Sequence, residues 1–220
     1  MKFLIVSKKK WNSNNFLNLP NSLKFSKKIN SKILGKIKPK IIFFIHWSEK
    51  IPSKIYKKYL CIQFHSSNLP KFRGGSPIQN QIVRNVKFTK ISAFKAAEKI
   101  DSGDICYQKR LSLKGNAEQI YIRIEKICIS MINKLIKMKK IKFIKQRGKV
   151  SYFKRRKPEE SNLNNLKNLT QNKVYDFIRM LDAPDYPNAY ITLDKFKILF
   201  RKISMLKNKE LRGEFKIVKK

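Results

Sequence analysis

One of the chain's two histidines, His65, closes an apolar run and opens the stretch His65-Ser66-Ser67-Asn68-Leu69-Pro70-Lys71-Phe72-Arg73-Gly74-Gly75-Ser76-Pro77. Side chains two apart on a strand point the same way, so Gln63 and His65 project together from the strand's end. In an open α/β sheet that end borders the crevice where ligands bind, and an imidazole delivered there is suited to acid–base chemistry. Gly74-Gly75 lets the following loop bring its backbone close to the same place. Asp101, in the sharp turn Asp101-Ser102-Gly103-Asp104, is the candidate carboxylate. Beside His65 it would orient the ring or take a proton itself. Taken singly, the same residues also fit a packing histidine and an ordinary turn.

The elements that must position these residues are legible as patterns. Residues 3–6 and 41–47 are continuous apolar runs, expected of strands buried on both faces of a parallel sheet, and 60–65 reads as a third strand. Residues 15–36 are polar and lysine-rich and read as one or two short helices, and 55–59 as another. Ser76-Pro77 opens a helix with serine as N-cap and proline at the first helical position, its apolar stripe being Ile78, Ile82 and Val83. Residues 91–97 and 104–113 read as strands flanking the Asp101 turn. Asn116 and Gln119 have capping-box spacing, and Ile120, Ile124, Ile127, Met131 and Leu135 give the next helix one apolar face. Val174, Phe177, Ile178 and Leu181 mark a helix that stops before Pro184, and 189–193 with 196–200 a small β pair. The fold expected is α/β: a Rossmann-like, mostly parallel sheet flanked by helices, with a small α+β C-terminal tail. The domains expected are 1–148, a linker at 149–172, and 173–220.

The net charge is +38 over 220 residues. The excess is mostly lysine, spread along the whole chain beside many Ile and Asn residues, as A/T-rich codon usage would produce; arginine clusters would better mark dedicated phosphate recognition. A basic surface attracts anionic ligands in either case. Three widely spaced cysteines, Cys61, Cys106 and Cys128, suit neither a disulfide framework nor a zinc site, and no metal is expected. The apolar N-terminal run is too short for a signal peptide, and no run is long enough to span a bilayer, so a cytoplasmic protein without membrane contact is expected.

The string from Phe64 to Gln79, followed by Ile100-Asp101-Ser102-Gly103-Asp104, resembles the 10-formyltetrahydrofolate-dependent formyltransferase family, whose signature runs Asn-x-His-x-Ser-x-Leu-Pro, Arg-Gly-small-x-Pro-Ile-Gln, then Leu-Asp-x-Gly-Asp. The resemblance covers roughly residues 1–144 and resumes over 152–200, with Arg155-Arg156-Lys157-Pro158-Glu159-Glu160 similar to the family's linker. It implies attack of a substrate amine on the formyl carbon of 10-formyltetrahydrofolate through a tetrahedral intermediate. His65 matches the catalytic histidine and Asp101 the carboxylate that sets its state. Gln63 stands where the family usually has asparagine as oxyanion donor, which places the amide one methylene further out. The resemblance assigns the folate pocket to Trp47, Ser48 and Ile51 and to Glu98, Lys99 and Ile100. It assigns substrate contacts to Ser67, Lys71, Arg73, Gly74 and Gly75. For the acceptor it implies an amino-sugar nucleotide, because little chain follows Phe200 and Leu181-Asp182-Ala183-Pro184 is similar to that group. The alternative is initiator methionyl-tRNA, and a third reading is a non-catalytic nucleic-acid-binding homologue. A homodimer is compatible with all three.

Overall fold

The computed structural model describes residues 2–9, 20–184 and 186–220. Strands β1 (Phe3–Val6) and β3 (Ile41–Phe44) are buried at every position, as their uninterrupted apolar sequences require. With β2 (Leu23–Ser26) and β4 (Leu60–His65) they form a parallel array. β6 (Phe88–Lys95) and β7 (Ile105–Ser112) complete a six-stranded sheet of order β2-β1-β3-β4-β6-β7. The sheet is mixed, because β6 runs antiparallel to β4 and β7 antiparallel to β6.

Alternation along the strands sends Phe3, Ile5, Phe43 and Ile62 to one face and Leu4, Ile42, Phe44 and Cys61 to the other. The first face is covered by α4 (Ala117–Leu135), which buries Ile120, Ile124, Met131 and Leu135; its N-terminus carries the expected capping box, Asn116 with Gln119. The second face is covered by α1 (Ser31–Ile37) and α2 (Ser53–Lys58), through Leu34 and Ile55.

Three expectations are corrected. The polar stretch 15–36 holds the edge strand β2 as well as the single helix α1, while its residues 15–19 lie outside the described ones. Ser76 precedes α3 (Pro77–Ile82) but does not cap it: its φ is +47°, and its Oγ accepts from the Arg156 N–H at 3.0 Å. Val83, expected in the apolar stripe, is exposed.

Residues 149–172, expected as a linker, are folded onto the main unit. β8 (Tyr152–Phe153) pairs in parallel with β5 (Arg73–Gly74), and two short 3-10 turns follow at 158–161 and 163–165. Helix α5 (Gln171–Arg179) leads to a three-stranded antiparallel sheet of β9 (Ala189–Leu193), β10 (Phe196–Met205) and β11 (Leu211–Lys219). Two buried charges dock this tail. Arg179 Nη1 donates to the carbonyls of Leu113 and Gly115 at 2.7 and 2.6 Å, and its Nε to Asp176 at 2.7 Å. Asp182 Oδ2 accepts from Asn116 Nδ2 at 3.2 Å and from the Lys202 N–H at 2.9 Å. Removing a buried acceptor strands its donors, at about 1–3 kcal/mol. Asp182→Ala is therefore expected to lower stability by about that amount and to speed amide exchange at Lys202, as read by denaturant melts and hydrogen–deuterium exchange.

Candidate active site

β4 ends at His65, and the chain turns at once into a loop tied to β6. Ser92 Oγ donates to the Ser67 carbonyl at 2.7 Å and accepts from the Leu69 N–H at 3.3 Å. The loop then runs against residues 151–156. The Phe72 N–H donates to Ser151 Oγ at 2.9 Å, the Arg73 N–H to the Ser151 carbonyl at 2.9 Å, and the Gly75 N–H to the Phe153 carbonyl at 2.7 Å. A Cβ on Gly74 would stand 2.4 Å from the Phe153 carbonyl oxygen, and one on Gly75 2.3 Å from Arg155 Cα. Glycine is therefore required at both positions by the close approach of the second segment. Phe72, Ser76 and Asp101 all take the left-handed backbone region, a concentration of strained conformers around one site.

This lacing fixes His65 and Asp101 relative to each other. His65 Nε2 lies 2.7 Å from the Phe72 carbonyl oxygen. A carbonyl only accepts, so Nε2 carries a hydrogen and Nδ1 is the ring atom turned toward Asp101, 3.4 Å from its Oδ2. The same Oδ2 accepts from the Gly74 N–H at 2.8 Å. Both side chains are largely buried, and Gln63 projects beside His65 from the same strand. The Asp101 turn sits between β6 and β7 and is pressed against the sheet: a Cβ on Gly103 would stand 1.7 Å from the Lys95 carbonyl oxygen.

A cleft of about 720 Å³ opens above this floor. It is lined by Gln63, His65 and Asp101, by all six residues assigned to the folate pocket (Trp47, Ser48, Ile51, Glu98, Lys99 and Ile100), and by Gly74 and Gly75. The other assigned contacts lie elsewhere. Ser67 is fully buried, donating to the Lys71 carbonyl at 2.6 Å. Lys71 lines a separate groove beside residues 145–149. Arg73 turns its guanidinium to Gln146 Oε1 and, at 2.9 Å, to Tyr152 Oη. Tyr152, Phe153, Lys154 and Arg155 form a cleft wall that the sequence reading did not assign. Their only sequence signal was two aromatics among basic residues.

A second cavity, about 260 Å³, shares Trp47, Ser48, His65, Gly74 and Arg155 with the first. His46, Phe64, Tyr121, Ile124 and Tyr186 wall it, with Lys8, Lys9 and Arg155 also lining it. Desolvation of His46, with the Lys9 charge adding to it, pushes that imidazole down to about 3. Burial likewise raises Tyr121. His46 and Tyr121 thus stay uncharged at neutral pH, while Lys8, Lys9 and Arg155 bring positive charge to the same lining. Among the described residues, no group of three or more His, Cys, Asp or Glu could hold a metal ion, and no helix is long and apolar enough to cross a membrane.

The family model described as formyl transferase matches residues 5–131, which contain the whole His65 loop and the Asp101 turn. The chain belongs to the formyltransferase family. A second model, described as the C-terminal domain of methionyl-tRNA formyltransferase, matches 158–218. The chain is 38% identical to a solved structure of methionyl-tRNA formyltransferase from Clostridium thermocellum, with a TM-score of 0.89 and complete coverage of both chains. It is 27% identical over 189 residues to the methionyl-tRNA formyltransferase of Thermodesulfovibrio yellowstonii, covering 83% of this chain and 60% of that one. A sugar N-formyltransferase from Shewanella sp FDAARGOS_354 shares the fold, with 21% identity, a TM-score of 0.70, and 92% and 97% of the two chains covered. Among the first curated relatives, the matches span 27–60% of the relatives' own lengths.

His46 gives a stability prediction whose sign is fixed. Its folded value near 3 lies below the ordinary 6.5, so between those pH values the unfolded chain binds the extra proton. Stability contributed by the neutral ring is full above about 6.5 and falls as pH drops toward 3, by at most about 1.4 kcal/mol per pH unit. His46→Phe is expected to flatten the acid side of the stability-against-pH curve across that window, as measured by urea melts at stepped pH.

Proposed function

We propose that the chain transfers a formyl group from 10-formyltetrahydrofolate to the primary amine of an aminoacyl-tRNA. The observation that carries this reading is the junction of the two cavities at His65. A donor in the larger cleft and an amine entering from the smaller one would meet where the His65 imidazole stands beside the Asp101 carboxylate and the Gln63 carboxamide.

The larger cleft fits the donor. Trp47, Ile51, Ala96, Ile100 and Phe153 give apolar walls for a flat bicyclic ring, and residues 96–101 lie outside regular strand, which leaves main-chain groups for its polar edge. The amine's bond to the formyl carbon forms as the donor's own C–N bond breaks, and the departing nitrogen of tetrahydrofolate takes up a proton in exchange for the one the amine loses. Gln63 directs a carboxamide to the cleft floor, where an N–H donor stabilises negative charge as it develops on oxygen. Asp101 and His65 Nδ1 are the adjoining sites for the proton lost by the attacking amine. The Phe72 carbonyl holds a hydrogen on Nε2 and so leaves Nδ1 as the ring nitrogen that can take up the amine's proton.

The acceptor reading is supported by the likeness to methionyl-tRNA formyltransferases across the whole chain, including the tail. It is further supported by basic residues at both cavities: Lys50, Lys99, Lys154 and Arg155 at one, Lys8 and Lys9 at the other. Backbone phosphates reward such charge through counterion release. A second reading takes an amino-sugar nucleotide as the acceptor, the fold being shared with a sugar N-formyltransferase over 92% of this chain.

Tetrahydrofolate release is the assay, with methionyl-tRNA and a panel of amino-sugar nucleotides as acceptors. Turnover with methionyl-tRNA that falls steeply between about 50 and 200 mM salt is the expected result. Turnover with a sugar nucleotide alone, weakly salt-dependent, would replace the acceptor reading by the second. His65→Ala and Asp101→Asn are each expected to lower kcat at least about 10²-fold. Gln63→Asn is expected to keep activity within roughly tenfold, since it keeps the amide and removes only one methylene.

A further inference from the structure

Gln146 lies outside every element and outside the cleft lining, yet its carboxamide makes four hydrogen bonds. Nε2 donates to the Asp101 carbonyl at 2.8 Å and to the Gly103 carbonyl at 2.7 Å. Oε1 accepts from Arg73 Nε at 3.2 Å and from Arg73 Nη2 at 2.7 Å. A primary amide has two donor hydrogens and two acceptor lone pairs, so this one is fully used.

The partners leave no other chemistry for the position. Two carbonyls only accept and a guanidinium only donates, so the bridging side chain must donate at one end and accept at the other. A carboxylate would face the two carbonyls without a hydrogen to offer. An apolar side chain would strand Arg73, which is buried and, among the described residues, has no carboxylate within ion-pair distance. Gln146 therefore ties the turn that carries Asp101 to the strand residue that lies between Phe72 and Gly74. Those two residues supply the main-chain contacts to His65 and Asp101. Tyr152 completes the clamp, its ring 5.6 Å from the guanidinium and its Oη accepting from Nη1.

We propose that Gln146 is a positioning residue for formyl transfer: through Arg73 and the main chain of Asp101 and Gly103 it sets the His65–Asp101 separation without touching either substrate. The inference rests on the transferase reading for its kinetic consequence, and on geometry alone for the tether. A misplacement of about 1 Å remote from the reacting atoms is enough to cost about 10²-fold in rate.

The test uses Gln146→Glu and Gln146→Asn in the full chain. Glutamate keeps the size and the pairing with Arg73 but loses both donors; asparagine keeps the amide but is one methylene short of spanning the gap. Either variant suffices if the other fails to melt cooperatively. Three quantities are read: kcat, KM for 10-formyltetrahydrofolate, and the Gly74 amide resonance in ¹⁵N-labelled protein, which reports the hydrogen bond to Asp101. The expected result is a kcat lower by about ten- to a hundredfold, a KM within about threefold, and a displaced Gly74 resonance. An unmoved Gly74 resonance in a folded variant would overturn the tether. A displaced resonance with kcat unchanged, or a loss carried wholly by KM, would overturn the role in the reaction. A wild-type chain inactive with every acceptor would sink the transferase reading alone, because the Gly74 resonance still judges the tether.

Discussion

The cleft floor depends on a pairing of two residues with two: Arg73 and Gly74 against Tyr152 and Phe153. A loop that leaves a strand end carries main-chain groups that must find partners, and burial makes each unmet one costly. Here the second segment meets the Phe72, Arg73 and Gly75 N–H groups. That leaves the Phe72 carbonyl directed at His65 and the Gly74 N–H directed at Asp101. Imidazole and carboxylate are thus oriented by backbone, the least adjustable part of the chain. The two glycines are what let the second segment approach so closely.

What was legible in the sequence follows from where patterns are imposed. β1 and β3 are buried at every position, which forces uninterrupted apolar runs, and they stand where those runs lie. α4 shows both its cap and its apolar face, and both are realised. β2 buries only Leu23 fully and so shows no run, and β11 is mostly exposed and rich in charged residues. Strand direction is not written in periodicity at all, so the reversal at β6 was invisible. The pairing of 152–153 is made by main chain, which leaves no side-chain spacing to read.

The site was legible to the same degree. Strand and turn positions told where Gln63, His65 and Asp101 would stand, and the resemblance placed the six folate-side residues on the cleft that the structure forms. The loop residues Ser67, Lys71 and Arg73 were not legible from a linear string. The left-handed backbone at Phe72 reverses the chain there, and the Arg73 guanidinium is directed to Gln146 and Tyr152 rather than to the cleft. Gln146 gave no sign of itself in the sequence because its partners are two carbonyls and an arginine far away along the chain.

The order in which a ribosome delivers these parts has a consequence of its own. The segment that carries His65 and Asp101, with the sheet and α4 to support them, is complete by residue 135. The groups that hold the pair in place, Gln146 and residues 151–156, are synthesised afterwards and close contacts across 43 to 80 positions of sequence. Contacts of such separation form late, since loop closure must precede any gain from them. A nascent chain that has reached residue 135 thus holds the sheet and α4 but lacks both the clamp on His65 and Asp101 and the later core residues Leu163, Phe177, Ile178, Met180, Leu181 and Ala189. The floor of the cleft is closed by backbone that follows residue 145, over a sheet that the first two thirds of the chain supply.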